Sequence, residues 1–180
     1  MKRKLVLLRA IVEQITYKKT VLLLIALSVA VSLLNIGFIS LINTFIDLQL
    51  ESFSKGLSSD FSVKMAVVAV VSSLVISPVI ETSIFQHLIF HFFKVVRRKG
   101  IPIKYIIIGS LLFGLAHQTV WTSGIFLGIV FFIHKVAIGI ILATSYYIFY
   151  RKRKHALLST ALIHSVHNLF ALVFIISDFL

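Results

Sequence analysis

The chain has 180 residues, 59% of them hydrophobic and only 13% charged; a soluble domain averages about a quarter charged, so an ordinary soluble domain is excluded. The net charge of +12 sits at the ends of apolar segments, where Lys and Arg set orientation and meet anionic head groups, so the expected partner is the lipid bilayer, with no nucleic acid. The absence of cysteine excludes disulfides, Cys-ligated zinc and thiol nucleophiles.

Residues 1–19 read as a basic amphipathic N-terminal segment on the cytoplasmic face, carrying Lys2, Arg3, Lys4, Arg9, Lys18 and Lys19 but no long apolar core of a cleavable signal. Residues 20–62 read as a first span, uncharged from Thr20 to Ile46, followed by an external loop without basic excess. The remainder, 63–180, reads as the membrane core. Its first apolar run, 63–93, is interrupted mainly by Lys64, Pro78 and Glu81. At 1.5 Å per residue it would reach roughly 46 Å, too long for a straight perpendicular crossing. Pro78 is expected to kink or break the helix just before Glu81, giving one bent crossing or two short helices. The basic loop with Lys94, Arg97, Arg98, Lys99 and Lys104 marks the inner face again and favours a single crossing. A short apolar helix then runs from Tyr105 to Thr119 and ends in a polar turn at 118–123 around Trp121. Gly124 to Tyr150 is the next span, Arg151 to Lys154 returns to the inner face, and His155 to Ile176 is the last span. The expectation is an all-α polytopic transmembrane helix bundle of about five spans, or six if the helix breaks fully at Pro78. Its expected location is the bacterial plasma membrane, with the amino terminus cytoplasmic. Small residues four apart, Ser110/Gly114, Gly124/Gly128 and Gly139/Ala143, mark close helix contacts.

Of six acidic residues, Glu81 alone lies deep in an apolar run. A carboxylate at bilayer depth costs a few kcal/mol and normally faces a polar cavity with a function. Counted from the nearest basic marker of each helix, Glu81, His117, His164 and Asn168 all fall at depths of roughly 15–21 Å. The i, i+4 spacing puts His164 and Asn168 on one helix face. Such a layer suits amide hydrolysis: a carboxylate acts as general base on water, His shares the proton or holds a metal, and a second His with Asn donates to the developing oxyanion. Two His and one Glu are also a catalytic zinc set. The residue pattern leaves open whether Glu81, His117 and His164 bind a divalent metal such as zinc or activate the water themselves.

These motifs resemble the CPBP family, the CAAX proteases and bacteriocin-processing or bacteriocin-immunity proteins also called the Abi family. Its pattern is Glu-Glu-x-x-x-Arg, then Phe-x-x-x-His, then a late His-x-x-x-Asn or Asp. The second motif is present as Phe113 to His117 and the third as His164 to Asn168, while Gly139 to Ala143 is similar to the family's small-residue step. In the first motif only Glu81 matches; Thr82 stands for the second Glu and Gln86 for the Arg. The resemblance, over roughly 63–176, implies an intramembrane metalloprotease. It implies Glu81 and His117 as the water-activating pair, and His164 and Asn168 as the oxyanion or metal side. Thr82 and Gln86 read as the neutral replacement of a structural ion pair, removed together so that no charge is stranded.

The implied substrate is a membrane-associated peptide or protein, such as a bacteriocin or a leader peptide. Two other readings compete: a non-catalytic bacteriocin immunity protein on the same fold, and a small carrier using Glu81 and Lys135 as an ion relay. Glu81, His117 and His164 can also serve purely as helix-to-helix bonds. Of the other polar residues, His87 and His91 read as interfacial, His155 as solvated, His167 as a variable place in the pattern, and His134-Lys135 as an ionisable pair deep in a span. The sixteen Phe read as lipid-facing.

Overall fold

In lipid a backbone must satisfy its own hydrogen bonds, and apolar segments therefore fold as helices. The computed structural model describes residues 16–46, 63–93, 102–117 and 120–177, and among these it forms helices and no strand. We number them α1 (Tyr17–Ile46), α2 (63–92), α3 (Ile103–Ala116), α4 (Val120–Arg151) and α5 (Ala156–Ser177). Four of the five are long and apolar enough to cross a membrane; α3 is shorter, with 14 residues, about 21 Å against a hydrocarbon core of about 30 Å. The protein is an all-α polytopic membrane bundle. Residues 1–15 of the amino-terminal segment and the whole first loop, 47–62, lie outside the described residues, and Tyr17 to Lys19 belong to α1 rather than to that segment.

Of the two arrangements open at Pro78, the chain takes the single crossing that the basic loop favours, and the irregularity appears as π widening rather than a break. The helix widens to π geometry at Ser72–Ile76 and Thr82–Leu88, on either side of one α turn, Ser77–Glu81. Flanking residues stay helical, at φ −69 and ψ −54 for Ile76 and φ −64 and ψ −36 for Thr82. Proline has no N–H and crowds the carbonyl four residues back. Widening shifts the ladder, so that the Ser77 N–H donates to Ser72 O, and the chain passes Pro78 as one crossing rather than two. A second difference lies at the α3–α4 connection. Val120, Trp121, Thr122 and Ser123 belong to α4 rather than to a polar turn, as that stretch holds no helix-breaking proline.

The core forms where α3 meets its neighbours. A Cβ added to Gly139 of α4 would stand 2.9 Å from Ser110 Cα, and one added to Gly109 would stand 3.0 Å from Phe85 O of α2. Tyr105 donates its hydroxyl to Ala143 O at 3.3 Å. Around this contact Phe90, Phe113, Phe149, Leu142 and Ile163 are fully buried, so these phenylalanines fill the core and do not face lipid. Phe90 meets Tyr105 edge to face at 5.3 Å, a geometry that adds to burial. Helix α1 packs on α4 and α5 through Tyr17, which stacks edge to face on Phe149 at 5.4 Å and hydrogen-bonds Ser159 at 2.8 Å.

The α4–α5 turn closes with paired bonds, Arg153 N–H to Tyr150 O at 3.1 Å and Lys154 N–H to Phe149 O at 3.0 Å. This is a Schellman end, and its left-handed position is Arg153 at φ 51, a conformation that costs a non-glycine residue about 1 kcal/mol.

Candidate active site

Glu81 ends the α turn between the two π segments of α2, so its side chain is aimed by the irregular part of the helix. Its carboxylate is held from both sides. Ser77, one turn earlier, donates its hydroxyl to Oε1. Oε2 faces two imidazoles: His117 Nε2 at 3.2 Å and His164 Nε2 at 3.5 Å. Neither contact is aligned as a hydrogen bond, which leaves Oε2 buried without a partner. Apo catalytic contacts are commonly loose in this way and tighten when substrate binds.

His117 sits just past the last turn of α3, where helix carbonyls lack intrahelical donors. Its Nδ1 meets Phe113 O at 2.8 Å. A carbonyl only accepts, so Nδ1 carries a proton. The Nε2 contact with Glu81 is then attractive only when a second proton lies on His117 or on the carboxyl group. The ring also lies against Phe113, with centroids 4.4 Å apart, and Phe113 meets His164 edge to face at 5.6 Å. Phe113 thus spaces the two imidazoles.

Three of the four candidate residues, Glu81, His117 and His164, are therefore brought together. Asn168 faces α2 as well, but its Nδ2 donates to Ser73 O at 2.9 Å, in the upper π segment. There it satisfies a carbonyl that the widened helix leaves under-bonded. Replacing Asn168 by Ala is expected to cost about 1 kcal/mol, the value of one such bond, read as a lower unfolding temperature in detergent. A large loss of cleavage at unchanged stability would instead assign Asn168 to the oxyanion.

Ser77 was not foreseen, although its i, i+4 spacing from Glu81 was a readable signal. Thr82 and Gln86 are fully buried. Among the described residues Thr82 Oγ1 and both amide atoms of Gln86 find no hydrogen-bond partner, nor do Thr160 Oγ1 and His164 Nδ1 on the facing helix. Unpaired polar atoms on the helices that carry Glu81 and His164 mark a place for water or substrate groups.

The other histidines lie apart. His87 Nδ1 bonds the Tyr146 hydroxyl at 2.5 Å and its ring stacks near His91 at 4.5 Å, while His155 is exposed. His167 is buried, bonded to Ser32 of α1 at 3.2 Å and 5.8 Å ring to ring from His134. Lys135 interacts electrostatically with Glu81 and with both His134 and His164.

A carboxylate and two imidazoles have the chemistry of a zinc set. As they stand, both Nε2 atoms face one carboxylate oxygen, and among the described residues no group of three ligating side chains is arranged to hold a metal ion.

Residues 63–170 match the family model described as Type II CAAX prenyl endopeptidase Rce1-like. No curated protein and no solved structure matches the chain.

Proposed function

Since the chain belongs to the Rce1-like family of type II CAAX prenyl endopeptidases, a family of membrane proteases, we propose that it hydrolyses a peptide bond of a membrane-associated peptide or protein at Glu81, in a bacterial plasma membrane with its basic ends cytoplasmic. The observation that carries this reading is the Glu81 carboxylate, anchored by Ser77 on one oxygen and presenting the other, unpaired, between His117 and His164. A carboxylate at this depth costs about 3 kcal/mol, and a base that acts on water accounts for its presence.

In the proposed reaction Glu81 Oε2 takes a proton from a water, whose oxygen attacks the scissile carbonyl carbon. The carbonyl becomes an oxyanion that accepts hydrogen bonds from His164, and from Asn168 if its amide turns from Ser73. Collapse breaks the C–N bond, and the proton held in the His117–Glu81 contact passes to the leaving nitrogen. Apolar helix walls exclude bulk water and strengthen each of these interactions. If a divalent ion joins Glu81, His117 and His164, it supplies Lewis acidity to the same water; no step above requires it.

The test uses the purified chain in lipid nanodiscs with prenylated peptides, leader peptides and a bacteriocin as separate substrates, product being read by mass spectrometry. Cleavage of one class at a discrete bond is expected, and chelation followed by added zinc tests whether a divalent ion joins the site. Loss on chelation with recovery on added zinc moves water activation to the ion. No cleavage of any class, with protection of cells retained when Glu81 is substituted, selects the second reading: a bacteriocin immunity protein that acts by binding. The buried, unpaired Thr82 and Gln86, where the family pattern carries charges, favour that reading.

A further inference from the structure

The turn between α4 and α5 has a shape that its own packing does not explain. Arg153 is the one non-glycine residue with positive φ, at 51, among the described residues. The position it fills closes a Schellman end, where glycine or asparagine is the usual choice. An arginine retained in a conformation that glycine adopts freely points to a task for its side chain. Tyr150, Arg151, Arg153 and Lys154 line a cleft of about 630 Å³.

Helix α1 lies against the turn that forms the cleft. Lys152 turns away to Thr20 Oγ1 at 3.2 Å, and Lys154 Nζ lies 6.0 Å from the Tyr17 ring centre, so α1 fixes the turn from behind. Arg151 and Arg153 form no hydrogen bond or ion pair with any described residue. Glu81, the only acidic side chain among the described residues, is committed to the site in the bundle interior. Three cations therefore line one cleft, and among the described residues no carboxylate neutralises them. Within a few residues α5 exposes Leu158 and Leu162, surface suited to acyl chains.

We infer that this cleft binds the phosphate of an anionic phospholipid head group. The forked guanidiniums of Arg151 and Arg153 match phosphate oxygens bidentately, Lys154 adds a point charge, and the Tyr150 hydroxyl can donate. The site is independent of the catalytic reading: it would hold whether or not Glu81 cleaves anything.

The test is native mass spectrometry of the full chain in detergent, titrated separately with phosphatidylglycerol, phosphatidylcholine and inorganic phosphate, alongside thermal unfolding. Wild type is expected to retain phosphatidylglycerol several-fold better than phosphatidylcholine. Arg153→Gly is expected to lower that affinity about fivefold, the usual worth of one cation at an anionic membrane surface, while unfolding temperature without lipid stays equal or rises because the left-handed position is relieved. Arg151→Gln, which leaves the turn's backbone alone, should lose a similar factor. Unchanged phosphatidylglycerol affinity in both variants overturns the inference, as does equal retention of the two lipids by wild type. Stabilisation of wild type by inorganic phosphate to the same extent as by phosphatidylglycerol assigns the cleft to free phosphate and overturns the lipid assignment.

Discussion

Glu81→Gln is expected to lower cleavage by about three orders of magnitude, within the range that a positioned general base contributes, while the protein folds and inserts as before. The amide keeps the shape of the carboxylate, and its oxygen can still accept from Ser77, the partner of Oε1. What is lost is the capacity of Oε2 to take a proton. Because an ionisable group at bilayer depth is itself costly, the neutral variant should unfold at an equal or higher temperature. A purely structural Glu81 behaves in the opposite way, with stability falling alongside activity. Rates at matched membrane levels, measured beside a melting curve, separate the two. Cleavage within tenfold of wild type would remove Glu81 from the mechanism.

Gly139→Ala should be nearly as damaging, although Gly139 touches no reacting group. Its added Cβ would lie 2.9 Å from Ser110 Cα and 3.2 Å from Ser110 O, and backbone atoms cannot swing aside. Helix α3 must move away by several tenths of an ångström to restore a contact near 3.5 Å. Overpacking of this kind costs about 1–3 kcal/mol. The same helix carries Phe113 and ends at His117, so the shift separates Nε2 from the Glu81 carboxylate, now 3.2 Å away. Misplacement on that scale can cost about a hundredfold in rate. Gly37→Ala is the matched control: nothing lies within 4 Å of its added Cβ, and both rate and stability should be unchanged. A Gly139→Ala protein as active and as stable as that control would show that α3 is free to adjust, and that the site does not depend on its seating.

Much of the bundle was legible because helix geometry is rigid. Uncharged runs bounded by basic residues mark helices wherever lipid forbids unpaired backbone, and α1, α4 and α5 lie close to their expected limits. Constant rise also allowed Glu81, His117 and His164 to be placed in one layer from residue counts alone, and those three side chains do meet.

Facing was not legible. In a membrane the protein interior and the lipid are equally apolar, so no hydrophobic pattern tells a core Phe149 or Phe90 from one that meets acyl chains; only the small residues at Ser110 and Gly139 carried that information. Asn168 shares its face with His164, yet only the packing of α5 on α2 shows that its amide is engaged by the Ser73 carbonyl. Nor could spacing reveal that Pro78 would be absorbed by π turns, since that solution depends on neighbouring helices holding the backbone in place. The residues by themselves determined a helical membrane bundle and the depth of its polar groups, because backbone satisfaction and helical rise are local properties. Tertiary structure alone decided the azimuth of each helix, and with it which oxygen of Glu81 stays free, because that angle is set by contacts between segments distant in the chain.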